Sequence, residues 1–194
     1  MIHFVSYHIA AFLQGKNIIA KEDEEVYTYG IEVLVSSLIG ILLILGIGFL
    51  LGRRWEALVF LLFFVPIRFF CGGYHAGRYL TCNLSFIAAF LLALLFQFLL
   101  GGPYGLPCLG PTLLFIFCSF SLYAPVDRAH KPLNKEEKAR NRKISLLLVV
   151  IEICAVIILA FFLPELAIMA ALTLLEVAIL VIIGDMKRKK EVNP

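Results

Sequence analysis

The stretch that decides the fold is Leu84-Ser-Phe-Ile-Ala-Ala-Phe-Leu-Leu-Ala-Leu-Leu-Phe-Gln-Phe-Leu-Leu100, which contains no charged side chain. An α-helix rises about 1.5 Å per residue, so a run of this length covers most of the roughly 30 Å hydrocarbon core of a bilayer. The rest of the chain has the same character, since 61% of its 194 residues are hydrophobic and 16% are charged. The mean hydropathy is +0.95. Soluble domains are far more polar, so the sequence predicts an integral membrane protein.

Six apolar blocks of this kind set the predicted architecture. They cover residues 31–51, 55–71, 84–100, 109–126, 144–163 and 166–184. The predicted fold is an all-α polytopic membrane protein with about six transmembrane helices, and residues 1–194 form a single membrane-embedded domain. Pro66 and Arg68 interrupt the second block, which is therefore predicted to be kinked or re-entrant. Residues 1–30 are too polar to span and are predicted to contain an interfacial amphipathic helix.

Basic residues predict the orientation of these spans. Residues 127–143 carry seven Lys or Arg side chains, and the tail at residues 185–194 carries four. Because short basic loops stay in the cytoplasm, we expect a multi-pass protein of the cell membrane with both segments cytoplasmic. Counting the spans backwards places the segment 68–83 on the same cytoplasmic side. If the second block spans, the N-terminus lies there too, and Arg53 and Arg54 are the only basic residues that break the rule.

Composition also excludes several kinds of partner and site. The net charge is only +3, and basic residues do not alternate with aromatic ones, so we expect membrane lipids and no nucleic acid as partners. The five cysteines show no CxxC spacing, which predicts neither a metal site nor a disulfide framework, and no cofactor motif is present. Buried structural thiols are predicted at positions 71, 108, 118 and 154, and ordinary surface histidines at positions 3, 8 and 130.

The segment between the second and third blocks contains His75 and, seven residues later, Cys82. On an unbroken helix these residues share a face but lie about 10.5 Å apart along the axis, too far for an imidazole to reach a thiol. A working pair therefore requires a broken helix, and Gly72-Gly73 offers the backbone freedom for it. Thr81 or Asn83 could then cap the next helix, so that Cys82 lies at a helix N-terminus, which favours the nucleophilic thiolate.

At these residues the sequence resembles the accessory gene regulator B family, membrane endopeptidases of peptide quorum sensing in Gram-positive bacteria. The resemblance rests on Arg68, Gly72-Gly73-Tyr74-His75-Ala76, Cys82, Ser85, Ala124-Pro125-Val126-Asp127 and Lys131-Pro132-Leu133. It implies a cysteine endopeptidase in which His75 and Cys82 are the catalytic pair. It also implies supporting roles, which we assign to Arg68, Gly72, Gly73, Ser85, Asp127 and Lys131.

The resemblance further implies the substrate, a short amphipathic propeptide that is the precursor of a pheromone (AgrD-like). Cleavage would remove its C-terminal tail through a thioester on Cys82 and promote cyclisation to a thiolactone or lactone. Arg68 could bind an acidic tail or an oxyanion, but it equally suits contact with lipid headgroups. Asp127 could orient His75, cap a helix or form an ion pair.

Two other classes of function remain open at this point. A small membrane transporter or peptide exporter would use Glu152, Glu176 and Arg68 as its polar pathway, because carboxyl groups inside spans are costly and often functional. The structural alternative is that both glutamates, and Gln97, pack between helices. A noncatalytic scaffold would use neither His75 nor Cys82. Polar and small residues in the spans are also compatible with a homodimer.

Overall fold

The computed structural model describes residues 2–16, 18–72, 79–100, 105–126 and 134–192. Within these ranges the chain is helical almost throughout and contains no strand. The helices are α1 (Ile2–Gly15), α2 (Glu24–Leu50), α3 (Arg54–Cys71), α4 (Tyr79–Leu100), α5 (Gly105–Tyr123), α6 (Lys135–Phe162) and α7 (Pro164–Val192), with a 3-10 turn at Lys21–Asp23 before α2. The predicted all-α class is confirmed.

Five of these helices, α2 and α4 to α7, are long and apolar enough to cross a membrane. The second predicted span, α3, is the weak one, as expected: it has 18 residues, Pro66 lies inside it, and it carries Arg54, Glu56 and Arg68. Contacts with other helices compensate for its short length and polar residues. Phe60 and Ile67 are fully buried, and the helix lies against α2, α6 and α7. A short helix with polar ends is therefore held by protein contacts rather than by lipid.

The last helix, α7, is the centre of the bundle. It packs against α3, α4, α5 and α6. Its buried side chains are mostly small or medium in size: Ala167, Ile168, Met169, Ala170, Ala171, Leu172, Thr173, Leu174, Val177, Ala178, Val181 and Asp185. Small residues let helix backbones approach closely in a membrane, where apolar surface alone does not drive association.

The helices α2 to α7 alternate in direction, which brings the starts of α2, α4 and α6 and the ends of α3, α5 and α7 to one end of the bundle. Three contacts mark this arrangement: Tyr79 with Glu32, Val126 with Cys71, and Arg142 with Ser121. We call this the Cys82 end. At the opposite end the Gln97 side chain donates a hydrogen bond to the Glu165 carbonyl at 2.9 Å, which confirms the predicted packing role of Gln97 between helices.

Close approach of α2 and α4 positions the Cys82 end. The buried residues of α2 recur every fourth position, namely Thr28, Glu32, Ser36, Gly40, Ile44 and Gly48. A Cβ atom at Gly40 would lie 3.2 Å from the Asn83 side chain and 3.2 Å from the Phe86 ring. The glycine thus lets the first turns of α4 rest directly on α2.

Several predicted boundaries were wrong at the Cys82 end. Helix α4 begins at Tyr79, before both predicted caps, Thr81 and Asn83, and residues 135–143, predicted as loop, form the first turns of α6. The predicted tail continues α7 to Val192. Apolar length marks only the part of a helix inside the hydrocarbon, and a helix continues into water when its end is satisfied. At α6 the Asn134 N–H donates to Glu137 Oε2 at 3.0 Å, one half of a capping box.

Cysteine burial was predicted correctly for Cys71 and wrongly for Cys108, Cys118 and Cys154, which are exposed on the outside of the bundle. An apolar sequence context does not distinguish the core from the lipid-facing surface. Glu152 is buried as expected for a packed residue. One carboxyl oxygen of Glu152, and likewise one of Glu176, has no hydrogen-bond partner among the described residues, so the interhelical bond predicted for each is not seen at that oxygen.

Candidate active site at the Cys82 end

Cys82 lies in the first turn of α4 as a half-buried free thiol. The backbone N–H groups of a first helical turn carry partial positive charge and have no partner within the helix, so an anion is favoured there. Ser85 lies one turn later, and its hydroxyl donates to the Thr81 carbonyl at 2.8 Å. Because α4 begins at Tyr79, Thr81 and Asn83 are inside the helix and do not cap it, contrary to the expectation from sequence.

Four of the predicted site residues lie outside the described part of the chain. His75 and Gly73 fall in residues 73–78, and Asp127 and Lys131 fall in residues 127–133. The pairing of His75 with Cys82 therefore stays a prediction. Helix α3 ends at Cys71 and Gly72 follows with a positive φ, so the helix ends where the glycine pair predicts it.

Gly72 ends α3 in a backbone conformation that requires glycine, with φ +67° and ψ −137°. A Cβ atom at this position would lie 2.3 Å from the Val126 carbonyl oxygen. The Val126 N–H donates to the Cys71 carbonyl at 2.9 Å, so the ends of α3 and α5 are fastened through their backbones. His75 follows three residues after Gly72, and Asp127 comes directly after Val126. Residues 73–78 and residues 127–133, which carry predicted site residues, therefore both follow directly after this contact.

Arg68 stabilises the same end of α3. Its Nη1 donates a hydrogen bond to the Gly72 carbonyl oxygen. The Cys71 thiol approaches that oxygen at 3.6 Å. An arginine near the C-terminal end of a helix satisfies carbonyl groups that the helix leaves without partners. The structure therefore gives Arg68 a structural role at the site.

Sequence reasoning missed a polar cluster at this end, formed by His3, Glu32 and Tyr79. The Tyr79 hydroxyl donates to Glu32 Oε2 at 2.6 Å. His3 Nδ1 lies 2.5 Å from Glu32 Oε1. His3 is 77% exposed, as expected of a surface histidine, but it has a specific partner. The sequence contained one signal of this cluster, because Glu32 is the only acidic residue inside the first apolar block.

A cavity of about 390 Å³ opens between the end of α5, the start of α6 and the end of α7. We call it the basic groove; its lining is Leu122, Tyr123, Ala124, Pro125, Lys135, Lys138, Ala139, Arg142, Asp185 and Arg188. Among the described residues of this lining, the one carboxylate is Asp185, which lies 2.6 Å from Lys189. The groove is thus a positively charged surface that adjoins the Gly72–Val126 contact. Within the described ranges, no group of three His, Cys, Asp or Glu side chains could hold a metal ion.

Comparison with known proteins decides the family. The sequence model of accessory gene regulator B matches residues 6–183, nearly the whole chain. The chain belongs to the accessory gene regulator B family. No solved structure matches it.

Relatives in this family carry only a general name. The chain is 28% identical over 148 residues to a Clostridium perfringens protein named AgrB-like protein 2, covering 74% of the chain and 69% of that protein. It is 30% identical over 127 residues to an AgrB-like protein of Listeria monocytogenes, covering 63% of the chain and 61% of the relative. The matched part therefore spans about three fifths of the Listeria protein. Membership of the accessory gene regulator B family places the protein in accessory gene regulator quorum sensing.

Proposed function

We propose that this member of the accessory gene regulator B family is a membrane cysteine endopeptidase that processes a quorum-sensing propeptide. The observation that supports it most directly is the position of Cys82, a half-buried thiol in the first turn of α4. The segment that contains His75 ends three residues before it, at Tyr79. A cysteine at a helix start beside an imidazole is the arrangement that activates a thiol as a nucleophile.

The first half of the proposed reaction forms an acyl-enzyme. His75 accepts the thiol proton of Cys82, and the thiolate attacks a carbonyl carbon of the propeptide. The amide bond breaks, the imidazolium returns its proton to the leaving amine, and the C-terminal tail departs. Backbone N–H groups in the first turn of α4 are suited to stabilise the oxyanion of the tetrahedral intermediate.

The second half releases the product. An internal cysteine or serine of the bound peptide attacks the thioester, which frees Cys82 and closes a thiolactone or lactone ring. Attack by water would give a linear peptide instead. Well-placed intramolecular groups reach effective molarities of about 10⁵ M or more, so a peptide held at the site favours ring closure.

The proposed site faces the cytoplasm, where a newly made propeptide is present. Support comes from charge: among the described residues, Arg53 and Arg54 are the only basic ones at the end opposite Cys82. Basic residues at the ends of spans are retained on the cytoplasmic side. Both termini then lie in the cytoplasm as well.

The basic groove is proposed to bind the acidic tail of the propeptide. We expect the double variant Lys135→Glu and Arg142→Glu to raise KM about tenfold for a peptide with an acidic tail, because each exposed charge pair contributes up to about 1 kcal/mol. A glutamate at position 135 suits the first turn of α6, so the helix is preserved. Turnover kinetics of the reconstituted protein measure this effect.

The matched control for the groove is Lys143→Glu, which reverses a charge on the same helix outside the groove lining. Its KM is expected to stay within about twofold, since an exposed charge outside the groove lining is screened by salt. A peptide with a neutral tail should be insensitive to both changes. Equal KM values for the double variant and the wild type with the acidic peptide would contradict tail binding in the groove.

The proposed chemistry is tested by trapping the acyl-enzyme. Purified full-length protein in lipid nanodiscs is mixed with propeptide, quenched in acid, digested and analysed by mass spectrometry. We expect a tail-lacking peptide joined to Cys82 through a bond that hydroxylamine cleaves. Cleavage of the propeptide without an adduct on Cys82, or with the adduct on another cysteine, would contradict the mechanism.

A further inference from the structure

The cluster of His3, Glu32 and Tyr79 lies next to Cys82 and has no part in the chemistry described so far. We propose that Glu32 is a positioning residue that fastens the N-terminal helix α1 and the start of α4 to α2, and thereby fixes the place of Cys82. This inference rests on the proposed function, because it concerns the alignment of the nucleophile.

Both oxygens of the Glu32 carboxyl are engaged by different helices. Oε1 is 2.5 Å from His3 Nδ1 on α1. Oε2 accepts the Tyr79 hydroxyl on α4 at 2.6 Å. Glu32 itself is only 8% exposed. A carboxyl removed from water needs such partners, and a hydrogen bond to a charged group is among the stronger ones in proteins. Loss of either partner therefore leaves a buried acceptor oxygen unsatisfied.

Helix α1 is fitted to α2 beyond this contact. Ser6 and Ala10, one helical turn apart, are fully buried. These small residues face inward, while Phe4 is 66% and Phe12 62% exposed on the other side of the helix. Because α1 packs closely on α2, His3 is held where it reaches Glu32. The N-terminal helix is thus packed into the bundle at the Cys82 end.

The position of Tyr79 makes the cluster relevant to catalysis. Tyr79 is the first residue of α4 and lies three residues before Cys82, so the two side chains share one face of the helix. Tyr79 also directly follows residues 73–78, which include His75. A second point of support lies one turn further on, where Gly40 of α2 meets Asn83. Together these contacts fix both the rotation and the depth of the first turn of α4.

The test uses Tyr79→Phe, which removes one hydroxyl and keeps the ring. In the full-length protein in nanodiscs, we expect hydrogen exchange of the first turns of α4 to accelerate about tenfold, as loss of a hydrogen bond to a charged group predicts. Exchange of α1 should accelerate less, because the bond between His3 and Glu32 remains. Exchange in α5 to α7 should not change. With propeptide as substrate, kcat should fall about tenfold with KM within about twofold, because the nucleophile is displaced while substrate binding remains.

Two variants complete the experiment. Tyr27→Phe is the matched control, a tyrosine on the first turn of α2 that is 46% exposed and outside the cluster. It should change neither exchange nor kcat. His3→Gln is expected to accelerate exchange of α1 more than that of α4, since the bond between Tyr79 and Glu32 remains.

The exchange measurements need no substrate, so they test whether Glu32 fastens α1 and α4 to α2 even if the protein proves not to be a peptidase. Unchanged exchange at α1 and α4 in Tyr79→Phe would overturn the fastening role of Glu32. Faster exchange with wild-type kcat would overturn the positioning of Cys82 and leave the peptidase intact. Absence of cleavage by the wild type, with exchange altered as expected, would instead count against the proposed function.

Discussion

Replacing Cys82 by alanine is expected to abolish propeptide cleavage, with a loss of about 10³-fold or more in kcat, because no acyl-enzyme can form without the thiolate. His75→Ala should produce a loss of similar size, and the double variant should be no worse than either single one, since the two residues act as a unit. Tail release from a synthetic propeptide, followed by mass spectrometry in nanodiscs, measures all three.

Cys118→Ala is the control for this series, since Cys118 is another free cysteine and lies exposed on α5. Its turnover should remain within about twofold of the wild type. If Cys82→Ala and His75→Ala both process the propeptide normally, the protein is no cysteine peptidase. The transporter hypothesis predicts that pattern, together with a loss of transport in Glu152→Gln or Glu176→Gln.

The second large effect is expected from Gly72→Ala. The added Cβ would need to share space with the Val126 carbonyl oxygen, and the positive φ of +67° is unfavourable for alanine. Backbone strain of this kind costs about 1 to 3 kcal/mol, and relief of the clash separates the ends of α3 and α5. We expect a lowered Tm and a loss of most of the cleavage activity, because the segments carrying His75 and Asp127 both start there.

Gly52→Ala is the control that distinguishes backbone strain at a positive φ from the steric clash with Val126. Gly52 also has a positive φ, +69°, but a Cβ there meets nothing within 4 Å, and it lies at the opposite end of the bundle. This variant should lower Tm less and keep turnover within about twofold. Equal Tm and turnover for Gly72→Ala and Gly52→Ala would show that the approach of Gly72 to Val126 is unimportant.

The fold class could be predicted because a bilayer restricts the choices. Long uncharged stretches such as residues 84–100 must form helices there, since no water is present to satisfy the backbone. Helix ends were less predictable, as Tyr79 and Lys135 show, because hydropathy changes at the membrane boundary while the helix continues into water. The central position of α7 could not be predicted from the sequence either, since a lipid-facing leucine and a core leucine have the same hydropathy.

The candidate site was predictable only where it is local in sequence. The glycine break, Cys82 and its nearness to a helix start could be inferred from residues 68–83. The contacts of Val126 with Cys71 and of Tyr79 with Glu32 join positions that are 55 and 47 residues apart in the chain. Such pairs depend on how the helices pack, which a single sequence does not specify.

The central position of α7 has a consequence for biosynthesis. The helices α3 to α6 are translated before α7, yet each of them packs against it. Until α7 enters the membrane, these earlier helices lack their common neighbour and are joined through contacts with one another, such as the bond from Val126 to Cys71. We therefore expect the proposed site around Cys82 to take its final form only after α7 has joined the bundle. A nascent chain stalled before residue 164 should therefore be inert towards propeptide made nearby.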